Sequence, residues 1–226
     1  MSQTTNFILP HWIYWGWLAI MPLVFMWFTR GAKPSNTPDE ETAIKVLAEE
    51  DPALHAPGNV FTRGLDWITE NSGIFVSLWT VNAVCVYFYE VISRYIFDAP
   101  TIWAHQASYL MFGMQYLLAG GFALLHGDHV RVDVVYIKLP RRAQIGMDIF
   151  TSTFFFIFAV ALAGTCLRFF LDSYDMREVT EETWQVQFYP VKAAMVRGAI
   201  LLTLAGVSKL IKDIQLFVRS AGGHTA

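Results

Sequence analysis

Glu90 and Arg94 stand four residues apart in a run that is otherwise apolar. Ionisable side chains in such a run are expensive to bury, so they mark where chemistry would be found. On a helix, an acid four residues before a base forms a favourable pair. Three uses fit: a self-neutralised pair with Arg94 reaching toward a nearby membrane surface, a polar contact that orients a partner helix, or part of an ion path. Arg197 offers Glu90 a second partner. Glu90 lies seven residues before the end of one apolar stretch (73–97), and Arg197 lies seven residues after the start of another (190–217). At 1.5 Å per residue both sit about 10 Å in from the same end. The two are expected to meet across helices, with Arg197→Ala destabilising and Glu90→Gln partly relieving the loss.

Other chemistry-bearing residues suggest less. Gln106, Gly113 and Gly120 recur every seven residues, with Ala119 and Ala123 beside the last. Small residues let membrane helices approach closely and a polar one bonds across the contact, so this stripe is expected to be a packing seam. Trp103 is expected to be an interfacial anchor. A b-type haem needs axial ligands, commonly histidines from two helices. Only His11 and His105 fall toward one membrane face; His55, His126, His129 and His224 fall outside the apolar runs. His126 and His129, with Asp128 and Asp133, allow a metal reading, against an ordinary polar loop. Cys85 and Cys166 sit in apolar runs without ligand spacing and are expected to be core residues. No nucleophile elbow, phosphate loop, dinucleotide fingerprint or zincin helix occurs. No enzyme activity, metal or cofactor is therefore expected.

The elements that must position these residues are membrane helices. Charged residues make up 15% of the 226-residue chain and apolar ones 54%. Soluble domains carry about 25% charge, so much of this chain has no water to face. The net charge of −3 argues against a nucleic-acid partner. About 20 apolar residues cross a bilayer. Five stretches qualify: 12–28, 73–97, 102–125, 145–171 and 190–217. The first follows a segment without Lys or Arg, carries Trp12, Trp15, Trp17 and Trp27, and has no small-residue cleavage site after it. It is expected to be a retained span rather than a signal peptide.

The expected fold class is an all-α integral membrane helical bundle, a four-helix core plus an extra N-terminal transmembrane helix. Residues 1–29 form that helix, and 30–72 a cytoplasmic linker. Thr37, Pro38 and Glu40 read there as the start of a short amphipathic helix. Residues 73–218 form the core and 219–226 a cytoplasmic tail. The link at 98–101 makes a tight antiparallel hairpin. Residues 126–144 are expected to hold a short interfacial helix, because an isolated strand at a bilayer leaves backbone groups unpaired. With five spans, eleven basic residues fall on the side of the linker, the 126–148 segment and the C-terminal end (Lys209, Lys212 and Arg219), against five opposite. The C-terminus is thus expected in the cytoplasm and the N-terminus outside. The acidic loop 172–182 is then external.

The ordered set Glu90-Val-Ile-Ser-Arg94-Tyr-Ile-Phe, Trp103, a Gly-rich helix, His129-Val-Arg131-Val-Asp133 and Leu139-Pro140 resembles the small permease subunit of tripartite ATP-independent periplasmic (TRAP) transporters. The resemblance covers about residues 70–215. It departs at Trp103-Ala104-His105-Gln106, where the family often has acids after the tryptophan. The resemblance implies a scaffold for a large permease subunit that carries substrate and sodium by an elevator movement in the bacterial inner membrane. A periplasmic substrate-binding protein would deliver an organic acid. It further implies structural or subunit-interface roles for Glu90, Arg94, Trp103, His129, Arg131 and Asp133. Membrane lipids are the other expected partner. Two rivals belong to other classes. An anchor or cytochrome-type subunit of a respiratory complex would want paired mid-span histidines, which are missing. A structural membrane protein with an unrelated partner is the second.

Overall fold

A computed structural model describes residues 9–29, 59–127 and 139–222. These residues hold six helices: α1 (His11–Thr29), α2 (Val60–Ser77), α3 (Trp79–Tyr95), α4 (Ala104–His126), α5 (Arg141–Asp175) and α6 (Tyr189–Gly222). Leu78, between α2 and α3, keeps right-handed helical dihedrals (φ −67°, ψ −17°). Five segments are long and apolar enough to cross a membrane: His11–Phe28, Val60–Tyr95, Ala104–His126, Ala143–Asp175 and Tyr189–Val218. Among the described residues the only strand-like feature is an antiparallel bridge between Val179 and Gln187. The all-α membrane bundle expected from composition and periodicity is what forms.

The boundaries differ in several places: α5 begins at Arg141, inside the segment 126–144, and ends at Asp175, inside the loop 172–182, and α6 continues into 219–226 as far as Gly222. Residues 60–72, expected within a polar linker, belong to α2. Thr62, Leu65 and Thr69 recur at helical spacing, and all three are buried. The proposed amphipathic helix near Thr37 and the interfacial segment after His126 lie outside the described residues, apart from the ends of the latter.

The chain divides into two compact units. The first comprises Met1–Lys33, Ser72–Ala119 and Thr165–Gly198. Here α1 is pinned to α3 and α4 by polar bonds within apolar surroundings. Tyr14 Oη donates to the Ala107 carbonyl at 2.8 Å, and Trp17 Nε1 donates to Asn82 Oδ1 at 2.8 Å. Asn82 passes the chain on, its amide reaching Met111 Sδ at 3.3 Å. Such bonds hold helices together in a medium where apolar contact alone gives little preference.

Pro22 explains a further contact between α1 and α3. Proline has no N–H, so within α1 the Leu18 carbonyl loses its partner four residues on. Trp79 Nε1 donates to that carbonyl at 2.9 Å. A neighbouring helix thus satisfies the group that the proline orphans. Trp79→Phe is expected to cost about 1–3 kcal/mol by leaving a buried acceptor unmet. Adding Pro22→Ala restores the helical bond and should recover at least half. Thermal unfolding in bicelles, run as a double-mutant cycle, checks this; simple additivity would contradict it.

The second unit comprises Pro34–Asn71, Gly120–Gly164 and Ala199–Ala226. Its helices pack through small residues. A Cβ on Gly121 would lie 2.9 Å from the Leu201 backbone, and one on Gly206 would collide with the Phe155 ring. Cys166, in the first unit, is buried as expected, but Cys85 is exposed. Its apolar run offers a lipid-facing side as well as a core side, and composition does not distinguish the two.

Candidate functional site

The turn between α3 and α4 carries a cluster of polar side chains, Glu90, Ser93, Arg94 and Thr101. Glu90 is only 6% exposed. Its Oε1 accepts from the Arg94 guanidinium. Its Oε2 accepts from the Thr101 hydroxyl and from the Thr101 backbone N–H at 3.1 Å. Thr101 Oγ1 in turn accepts from the Ala104 N–H at the start of α4. One carboxylate therefore joins the last turns of α3 to the first turn of α4. Ser93 reinforces the turn: its hydroxyl donates to the Ala99 carbonyl at 2.6 Å, and its own carbonyl accepts the Ala99 N–H at 2.9 Å. Asp98 takes the left-handed conformation (φ 50°) that this reversal needs, which short polar side chains tolerate better than most.

Arg197 is not part of this arrangement. It is exposed, and Glu90 is engaged by Arg94 and Thr101 instead. The expected contact between Glu90 and Arg197 rested on equal depth alone. Depth does not fix which side of each helix a residue occupies.

Trp103 lies beneath the turn, 8% exposed, stacked on Tyr89 with ring centroids 5.9 Å apart. Trp184 is 6.5 Å from Trp103 and makes edge contacts with His11 (5.6 Å) and Tyr14 (5.3 Å). Its indole N–H donates to the Leu9 carbonyl at 3.0 Å. Gln106 is buried and donates to Thr180 Oγ1, which also accepts from the Val186 N–H at 3.0 Å. Residues 176–188 thereby form a small hairpin closed by the Val179–Gln187 bridge and tied to α1 and α4. Sequence reading had not found Trp184 or Thr180. No local pattern flags them, because their partners lie over 70 residues away.

At the base of this hairpin, Glu178 accepts from Lys192, whose ammonium also lies 5.3 Å from the Phe188 ring centre. The Lys192 bond holds the Glu178 carboxyl below its ordinary value of 4.5. A lowered folded pKa means the stabilisation is complete above the ordinary value and lost as pH falls through the lowered one. Amide exchange across residues 178–188 should therefore accelerate as pH falls below 4.5, beyond the intrinsic trend. Lys192→Met should abolish that excess; an unchanged excess would contradict the assignment.

The expected seam on α4 is displaced. A Cβ on Gly113 or Gly120 would meet nothing within 4 Å. The close approaches use Gly121 of α4, against the Leu201 backbone, and Gly198 of α6, where a Cβ would collide with the Leu117 carbonyl. Gly113 is exposed between Tyr109 (64%) and Tyr116 (77%). A seven-residue repeat identifies one stripe of the helix but not what covers it.

The second unit holds a buried ion pair that the sequence reading passed over. Asp66 Oδ1 accepts from Ser208 Oγ at 2.5 Å, and Oδ2 accepts from Lys212 Nζ at 2.7 Å. The Lys212 side chain is 5% exposed. Glu70 lies 3.4 Å from His126 Nε2 on the surface of the same unit. Asp66 falls in the segment 30–72 expected as linker, and Lys212 in the last apolar stretch, 190–217. His129, Arg131 and Asp133 lie outside the described residues.

These constellations are suited to joining helices. Among the described residues no three His, Cys, Asp or Glu side chains converge as metal ligands. His11 faces Trp184, and His105 is exposed.

A family model described as "Tripartite ATP-independent periplasmic transporters, DctQ component" matches residues 83–216. No individually curated relative matches the sequence. The match opens within α3 and closes within α6, so it takes in Glu90, Arg94, Trp103 and Gln106 and leaves α1 and α2 outside. Well over half the chain is matched, and five helical segments are long and apolar enough to cross a bilayer; the protein is a multi-pass inner-membrane protein and belongs to the DctQ components, the small permease subunits, of TRAP transporters.

Proposed function

We propose that this chain is the scaffold that holds a large permease subunit in the inner membrane, for sodium-coupled uptake of an organic acid delivered by a periplasmic binding protein. The observation that carries this reading is the α4 face at Tyr109, Gly113 and Tyr116. It is exposed, a Cβ on its glycine would meet nothing within 4 Å among the described residues, and that glycine stands between two aromatic rings. That is a surface for close helix contact. The exposed face of α5 has a different composition, with Phe150, Phe154, Ile157, Phe158 and Val160, and suits lipid. Glu90, Arg94, Trp103 and Gln106 act structurally, keeping the α3–α4 hairpin rigid so that the α4 face is presented in one geometry. The N-terminus lies in the periplasm and the C-terminus in the cytoplasm, as the distribution of basic residues indicates. The hairpin at 176–188 then faces the periplasm.

Reconstitution tests the function. Proteoliposomes holding this chain and the large permease should take up an organic acid only with binding protein outside and an inward sodium gradient. Uptake that persists without this chain, or without sodium, would overturn the reading.

A further inference from the structure

The first unit contains a cavity of about 280 Å³ between α1, α3 and α4. Its floor is buried: Tyr14, Asn82, Trp103, Ala107, Ser108 and Met111. Its mouth is partly open past Ile13 (37% exposed) and Trp17 (54%). The walls are largely apolar, and most of the polar groups in them are turned away to protein partners. Tyr14 bonds Ala107, Trp17 bonds Asn82, and Asn82 bonds Met111. Ser108 differs. It is 0% exposed, it lines the cavity, and its hydroxyl has no hydrogen-bond partner among the described residues.

An unmet hydroxyl within apolar walls calls for a ligand with one acceptor and a hydrocarbon body. The position in the bilayer narrows the choice. The lining begins at Leu9, just before α1, and at Trp103, just before α4, and runs eight residues along each to Trp17 and Met111. That spans about 12 Å of helix from the membrane edge inward. His11, Trp103 and Trp184 cluster at the same end, where aromatic rings mark the interface. Ester carbonyls of glycerophospholipids lie at this depth, and their acyl chains run inward from it. At roughly 30 Å³ per methylene, close to the share of a water molecule, the cavity has room for about nine such groups. Walls without contact partners lose dispersion energy that a chain would restore, and lipid is the solvent here, so mass action favours filling.

We propose that this cavity takes the carbonyl-proximal part of one acyl chain of a bilayer glycerophospholipid, with Ser108 Oγ donating to its ester carbonyl. The site lies in the leaflet at the N-terminal end of α1. It depends on the membrane reading and not on the scaffold role, so either can fail alone.

The test is photolabelling of the full chain, co-expressed with the large permease, in vesicles holding phosphatidylethanolamine with a diazirine near the carbonyl end of one chain. Label on Ile13, Val86 and Met111 should exceed that on Phe154 and Ile157, which are exposed on α5, by at least fivefold. Val86→Trp narrows the cavity and should reduce the excess at least fivefold. Ser108→Ala deletes an unmet hydroxyl, so folding should be unaffected, while labelling should fall about twofold to fivefold. Equal labelling of cavity and α5 residues would overturn the proposal. So would label on a permease segment at this mouth with none in the cavity, which would mean that protein fills it. Undiminished labelling of Ser108→Ala would remove the hydrogen bond from the account.

Discussion

Lys212→Met is expected to cost about 3–5 kcal/mol of stability in mild detergent, one of the two largest single losses anticipated in the chain. Lys212 is 5% exposed and bonded to Asp66 at 2.7 Å. Removing one partner of a buried pair leaves the other charge uncompensated, and that penalty exceeds what the intact pair contributes. Asp66 keeps its Ser208 bond and is 23% exposed, so the lower end of the range is favoured. Asp66→Asn should cost a similar amount. The double replacement Asp66→Leu with Lys212→Met should recover most of the loss, because no lone charge remains. Unfolding temperatures of the three variants check this; a single-variant loss under about 1 kcal/mol would contradict the pairing.

Gly198→Leu should be comparably damaging, and Gly113→Leu should not. Any Cβ at Gly198 collides with the Leu117 carbonyl, and backbone cannot move aside as a flexible side chain can. Overpacking of this kind costs about 1–3 kcal/mol, and more where the obstacle is rigid. At Gly113 a Cβ meets nothing, and leaving glycine gains about 1 kcal/mol of helix propensity. Gly113→Leu should therefore leave the isolated subunit as stable as the parent, while weakening association with the large permease at least tenfold if α4 presents that face. Melting curves of the isolated chain and pull-down of the permease separate the two effects. Equal melting losses at both glycines would contradict the placement of the contact.

The two glycines show what could be read from sequence and what could not. Five apolar runs and the scarcity of charge were enough for an all-α membrane bundle, because a bilayer leaves the backbone few options. The Glu90–Arg94 spacing and the short link at 98–101 pointed to the hairpin turn. Which side of α4 is covered was not legible, since a repeat of seven marks a stripe without naming its neighbour. For the same reason depth arithmetic brought Arg197 to Glu90, whereas the carboxylate is held by Arg94 and Thr101. Residues 60–72 read as linker because Arg63, Asp66 and Glu70 dilute their hydropathy. The periodic signal of Thr62, Leu65 and Thr69 was present but is carried partly by threonines. The Asp66–Lys212 pair spans 146 residues and has no local signature.

The most direct test of the account is co-purification. With this chain tagged and co-expressed with its large permease, mild-detergent extracts run on size exclusion should give a one-to-one complex. Gly113→Leu should dissolve that complex, and Phe154→Leu should leave it intact. A chain that elutes alone and well folded, whether or not the permease is present, would contradict the scaffold role.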